Sequence, residues 1–143
     1  MNRYFDIALN LASERFSGER DKVITDALTR NVNYFNIVCS SLNELDFVKD
    51  LNDRYGQNSC FTLGVHPHNA NELNGNTLKS LKDYIKIHQP SAVGETGLDF
   101  FRNLSSYENQ INAFEQQIII SIENNLPLFP VSYTHLRAHE TAS

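Results

Sequence analysis

At 143 residues, with 41% apolar and 20% charged side chains, the chain has the size and make-up of one globular domain, which excludes a disordered tail and a collagen-like repeat. A net charge of -5 excludes a broad basic surface that grips nucleic acid by neutralising phosphates alone, but leaves room for a nuclease that draws in a cation. Cys39 and Cys60 stand in or beside apolar runs, where reduced thiols are expected, "MNRYFDIALNL" has no signal-peptide core and "IIISI" is too short to span a bilayer, so a cytoplasmic protein with no membrane partner is expected.

Short apolar runs alternate with amphipathic ones along the chain. "YFDIAL" reads as a strand and "ERDKVITDALTRN" as a helix; "NYFNIVC" is a second strand, and "SLNELDFVKDLNDRYG" a helix opened by a Ser/Asn cap and closed at Gly56. "CFTLGV" supplies a third strand, "NTLKSLKDYIKIH" a third helix and "SAVGE" a fourth strand. "SSYENQINAFEQQIIISIENN" is a longer helix capped by Ser105 or Ser106, with Ile111, Phe114, Ile118 and Ile122 predicted along one face, and "LPLF" begins a fifth strand. Repeated strand and helix units call for a parallel α/β sheet with right-handed crossovers, either doubly wound or a (β/α)₈ TIM barrel. No Gly-rich dinucleotide fingerprint follows the first strand. A complete barrel takes roughly 250 residues, so this chain would supply its N-terminal half, with the sheet left open.

In either architecture reactive groups gather at the C-terminal ends of the strands. Those ends carry Asn10, then Ser40 and Ser41, then "HPH" from His66 to His68, then "ETGLD" from Glu95 to Asp99. Glu95 follows "AVG" directly, so its carboxylate emerges at the rim, where Gly94 and Gly97 let the backbone turn tightly. Standing alone it would read slightly better as a cap on the next turn. His66 and His68 flank Pro67, which is expected to hold the chain extended and send both imidazoles to one side, as two metal ligands or two phosphate-facing donors. Two histidines of a plain turn would have the same spacing; the rim they share with Glu95 favours a site. Near the C-terminus, "HLRAHE" sets His135 and His139 four apart beside Glu140, a second candidate metal pair if that segment is helical.

Taken in order and at these separations, "YFDIALNLASERF", "GVHPHNA" and "AVGETGLDFFRNLSSYENQINAFEQQI" resemble the N-terminal half of the TatD family of metal-dependent deoxyribonucleases, from about Tyr4 to Phe129. "GETGLDF" with its downstream Q…F…Q is the specific part. The resemblance implies a (β/α)₈ barrel with divalent cations at its C-terminal mouth, hydrolysing phosphodiester bonds of DNA. It implies that Glu95 is the metal ligand, that His66 lines the same mouth and that Asp99 and Arg102 sit in the loop beside it; His66 is expected to orient substrate phosphate, with Asn10 and His68 near it because they too follow strand ends. The chemistry agrees, because a hard cation takes carboxylate oxygen and can activate water while neutralising a phosphoryl oxygen.

Two departures matter. Many members open with Asp-x-His-x-His, which supplies two further ligands; here "DIALN" puts Ala8 and Asn10 in those places. That resembles the subgroup of Mg²⁺-dependent 3′-5′ exonucleases, so Mg²⁺ is expected, with the number of ions open. After "LPLF" the family continues with a hydrophobic residue and a metal-ligating histidine, where this chain has Pro130 and Val131. "VSYTHLRAHET" instead resembles a translated transposon-end sequencing adapter. Residues 1-129 are therefore expected to be a partial metallo-hydrolase barrel and residues 130-143 a non-native tail with few packing contacts, which takes His135 and His139 out of the chemistry. The expectation is a fragment of a deoxyribonuclease, inactive because one carboxylate holds Mg²⁺ weakly, and prone to self-association through its open half-barrel. The alternatives are another metal-dependent ester hydrolase on the same barrel, such as an aminoacyl-tRNA deacylase, or a noncatalytic binding fragment.

Overall fold

The computed structural model describes residues 2-133. Five parallel strands, β1 (Tyr4–Leu9), β2 (Val32–Ile37), β3 (Ser59–Leu63), β4 (Ala92–Asp99) and β5 (Leu128–Tyr133), lie side by side in chain order. Between them run α1 (Arg20–Thr29), α2 (Leu45–Tyr55), α3 (Gly75–His88) and α4 (Tyr107–Glu123). One helix per crossover and a sheet in sequence order are the arrangement of half a (β/α)₈ barrel.

The core forms where the strands meet the helices. The second half of β2 and its continuation, Phe35 to Cys39, are buried without a break, as in a parallel strand covered on both faces. Leu45, Val48 and Leu51 of α2, and Leu81 and Ile85 of α3, recur at helical spacing and join Ile37, Leu63 and Val93 in one cluster. Caps set the helix boundaries. Asn74 and Thr77 form a reciprocal capping box on α3, Gly56 ends α2 at φ 52°, and the Ser106 side chain accepts the Asn109 N–H on α4. Ser105, the other predicted cap, is instead buried and donates its hydroxyl to the His68 carbonyl.

Two expectations about the elements need correction. β4 does not end at Glu95 but continues to Asp99, because Thr96 to Asp99 pair with Pro130 to Tyr133. The same pairing carries β5 past Phe129, so the backbone of Val131 to Tyr133 has ladder partners in β4, although none of the three side chains is buried. A parallel ladder is made of backbone groups and reads side-chain identity only weakly. His135 and His139 lie outside the described residues. Finally, the buried face of α4 is Gln110, Ala113, Gln117, Ile120 and Ser121; Ile111, Phe114 and Ile118 flank it, and Ile122 is 73% exposed.

β1 leaves Tyr4, Phe5 and Ile7 more than half exposed, an apolar sheet surface at one end of the strand order. No helix among the described residues is long and apolar enough to cross a membrane.

Candidate functional site

A cavity of about 340 Å³ opens where the strands end, and Asn10, His66, His68 and Glu95 all line it, together with Ser40 and Glu44. The topology explains the meeting, since each residue lies at or just past the C-terminal end of a parallel strand, or within β4 beside those ends.

Glu95 is half-buried, and one of its oxygens, Oε2, accepts the Ser40 hydroxyl at 3.0 Å. Burial raises its pKa, the Ser40 hydrogen bond works against that rise, and the Glu44 carboxylate nearby adds to it. Ser40 commits each of its polar groups to this rim. Its N–H donates to Glu44 Oε2 at 2.9 Å, and its carbonyl accepts the His66 N–H at 2.9 Å and the Asn69 side-chain amide at 3.2 Å. The sequence placed Ser40 at a strand end without a role, and missed Glu44 and Asn69. Their only signals were a carboxylate four residues after Ser40 and an amide next to "HPH".

His66 is 7% exposed and its pKa is pushed down to about 4, first by burial and then by the neighbouring His68 ring, with Asp99 opposing. Its ring is therefore neutral. Nδ1 accepts the His68 backbone N–H at 3.2 Å, which assigns the ring proton to Nε2. In this arrangement Nε2 carries the ring proton and is a hydrogen-bond donor on a neutral ring. The chain does not stay extended here as predicted. Pro67 opens a short 3-10 helix (Pro67–Glu72) that His66 caps, because proline suits the first position of a helical turn. The imidazoles still converge, edge to face with centroids 4.2 Å apart.

His68 Nε2 lies 2.6 Å from Asp99 Oδ2, and the Asp99 carboxylate is fully buried. Burial alone would raise the Asp99 pKa, but the backbone N–H of Arg102, the His68 ring and the backbone N–H of Phe101 outweigh it and hold it at about 2. The Arg102 guanidinium reaches the same carboxylate at 3.3 Å and lies 4.7 Å over the Tyr133 ring. Asp99 and Arg102 are thus joined to the cavity through His68 and Tyr133, both of which line it.

For a cation, the donor set is partial. Glu95 Oε1 accepts no hydrogen bond from a described residue, so one hard oxygen is open at the cavity. Among the described residues no three His, Cys, Asp or Glu side chains are grouped to hold a metal ion. Glu95 fits one corner of a coordination shell.

The profile of the family described as "TatD related DNase" matches residues 5-139. The 3′-5′ ssDNA/RNA exonuclease TatD of Erwinia tasmaniensis is 39% identical over 137 residues, covering 95% of this chain and 51% of that protein. The Escherichia coli K12 protein of the same name is 37% identical with the same coverage. Among solved structures, a hydrolase of the TatD family from Entamoeba histolytica superposes with a TM-score of 0.80 at 25% identity, covering 90% of this chain and 49% of that one. YJJV, a TatD homolog from Escherichia coli, shares the fold with a TM-score of 0.80 at 23% identity, covering 88% and 49%. The chain spans about half the length of the curated relatives it matches. The fold, the motifs at its strand ends and these matches agree: the chain belongs to the TatD family of metal-dependent nucleases.

Proposed function

We propose that this chain carries half of the active site of a Mg²⁺-dependent deoxyribonuclease, a 3′-5′ exonuclease in the whole protein, that hydrolyses phosphodiester bonds of DNA in the cytoplasm. The observation that carries the reading is the pairing, in one cavity, of an open Glu95 oxygen with a histidine held neutral as a donor. Glu95 would hold the cation. Bound there, Mg²⁺ would supply a Lewis acid and an activated water. His66 would donate its Nε2–H to a phosphate oxygen, and burial keeps the ring from charging as the anion approaches or leaves. Asp99 fixes His68, while Asn10 and Arg102 would frame the substrate.

The 143-residue chain is inactive on this reading, because one carboxylate cannot complete an octahedral shell and place water and phosphate together. Residues 130-143 are read as foreign sequence on the adapter resemblance, against a family match that runs to residue 139, and reading the source DNA past the codon for Phe129 decides between them. The half-barrel is read as self-associating through its open apolar edge.

The deciding experiment measures cleavage of labelled single-stranded DNA, with Mg²⁺ and with chelator, by this chain, by the protein carried to the length of its relatives, and by Glu95→Gln in the latter. Cation-dependent degradation by the long protein, lost in Glu95→Gln and absent from the short chain, is expected. Turnover by the short chain that disappears in its Glu95→Gln variant would refute the inactivity, and a long protein inert on DNA would move the assignment to another ester, with aminoacyl-tRNA the next substrate to assay.

A further inference from the structure

The buried face of α4 holds two glutamines seven residues apart. Gln110 is 1% exposed and Gln117 is 0% exposed. Gln117 Oε1 accepts the Val65 N–H at 2.8 Å, and its amide nitrogen donates to the Val65 carbonyl at 3.0 Å and to the Ala113 carbonyl at 3.1 Å. Gln110 repeats the pattern one element on. Its Oε1 accepts the Asp99 N–H at 2.7 Å, and its nitrogen donates to the Asp99 carbonyl at 3.2 Å and the Ser105 carbonyl at 2.8 Å.

Each primary amide thus takes the N–H and serves the C=O of a single backbone residue, as a neighbouring strand would. The location of that service is informative. Val65 lies beyond the last β3–β4 pair, Leu63 with Val93, and immediately precedes His66. Asp99 is the final residue of β4 and the partner of His68. A helix face that only needed filling would use leucine, which carries no polar group to satisfy on burial. Here both amides are instead satisfied by the two backbone positions that aim the cavity histidines.

We propose that Gln110 and Gln117 are positioning residues of the candidate site, with α4 acting as the template. Gln117 sets His66 through the Val65 backbone, and Gln110 sets His68 through Asp99. The inference rests on reading the cavity as an active site only in its kinetic arm, since the positions of the rings can be read without DNA or metal.

The test uses the full chain labelled with ¹⁵N-histidine and follows the ring nitrogens of His66 and His68 by long-range ¹H–¹⁵N correlation, alongside the urea midpoint. Gln117→Met is expected to move the His66 Nδ1 signal as the bond from the His68 N–H loosens. Gln110→Met should move the His68 Nε2 signal instead. Ser121→Ala is the control, because Ser121 is buried on the same helix and donates to the Leu126 carbonyl, away from the cavity. It should lower the midpoint and leave both rings unmoved. Should a methionine variant fail to fold, Gln117→Asn and Gln110→Asn decide the matter, since they keep a neutral amide but are one methylene too short to reach both groups of the same backbone residue. Variants that lower the midpoint as Ser121→Ala does, with both ring signals where the parent has them, would overturn the proposal. In the protein carried to the length of its relatives, the variants should lower kcat roughly 10- to 100-fold with KM for DNA little changed. Moved rings in a protein inert on DNA would leave the positioning role standing and sink the nuclease reading alone.

Discussion

Replacing Gly64 by alanine tests whether the spacing of β3 and β4 sets the site. A Cβ built on Gly64 would stand 2.5 Å from Gly94 Cα, 2.7 Å from its carbonyl carbon and 2.8 Å from its nitrogen. Non-bonded carbons rest about 3.5 Å apart at the closest, so the two backbones must separate by about 1 Å. No flexible side chain can yield, since all three atoms are backbone. Gly94 cannot retreat towards β5 either, because it is packed against Phe129, whose Cβ would lie 2.8 Å from a Cβ on Gly94. Overpacking of this kind costs about 1–3 kcal/mol, and the rigid neighbours put Gly64→Ala at the upper end. The functional cost follows from position. Gly64 stands two residues before His66 and Gly94 one before Glu95, so a shift of about 1 Å enters the His66–Glu95 separation directly and should lower turnover about 100-fold. Gly75→Ala is the matched control, with no atom within 4 Å of its added Cβ and a place at the start of α3, where the change should be worth about 1 kcal/mol or less. Urea midpoints of both variants, with DNA turnover in the long protein, measure the effect. A Gly64→Ala protein with the parent's midpoint and turnover would show that the strand spacing is slack and that the glycine is not what sets the site.

Acid stability should carry a signature of His66. Its folded pKa of about 4 lies below the ordinary 6.5, so the unfolded chain takes the proton first; stability is whole above pH 6.5 and is lost as pH falls towards 4, by at most about 1.4 kcal/mol per pH unit. Asp99 has the depressed-carboxylate sign, contributing above its ordinary 3.8 and losing that contribution as pH falls through about 2, below the His66 window. Glu95, raised by burial, works in the opposite sense to His66 near its own range, so the difference between parent and His66→Gln isolates the histidine. Equal pH slopes in the two would contradict its buried, neutral state. Asp99→Asn should lower stability by about 1–3 kcal/mol and release the His68 ring, seen as a changed Nε2 shift. An unaltered ring would show that His68 is held elsewhere. The open edge predicts a sedimenting mass above the monomer at micromolar concentration, reduced by Ile7→Lys on the exposed face of β1. A parent chain that sediments and melts as a monomer would remove the self-association reading.

Much of the architecture was legible because the alternation of short apolar runs with amphipathic ones is a local signal. β1 was read with its observed bounds, and Gly56 and Ser106 mark chain reversals that chemistry announces. The Asn74 cap of α3 was not read, and the Ser/Asn cap expected on α2 makes no side-chain capping bond, Glu44 standing there instead. Asn10, His66, His68 and Glu95 were found by one rule, that a parallel sheet gathers the residues at its strand ends. Other features depend on partners distant in sequence. The extension of β4 from Glu95 to Asp99 exists because β5 lies beside it, and "TGLD" by itself reads as a loop. The α4 face was misjudged because hydropathy puts isoleucine inside and glutamine outside. Gln110 and Gln117 reverse that rule by finding backbone partners at Asp99 and Val65. The turn after His66 was hidden by proline's double character, which restricts the residue before it to extended backbone while itself opening a helical turn.

The described bracing of the candidate site spans Ser40 to Gln117. Ser40 holds Glu95, the His68 N–H fixes the His66 tautomer, Asp99 holds His68, and Gln117 holds the backbone before His66. This half of the fold therefore contains the groups that orient its histidines and its carboxylate. Cation coordination differs in kind, because it counts oxygens: one open Glu95 oxygen remains one ligand however well it is oriented. Orientation and ligand number are thus separable in this chain. Substitutions at Ser40 or Gln117 should alter geometry that can be read in the short chain, whereas the effect of Glu95→Gln on cation-dependent turnover emerges only when the rest of the shell is supplied.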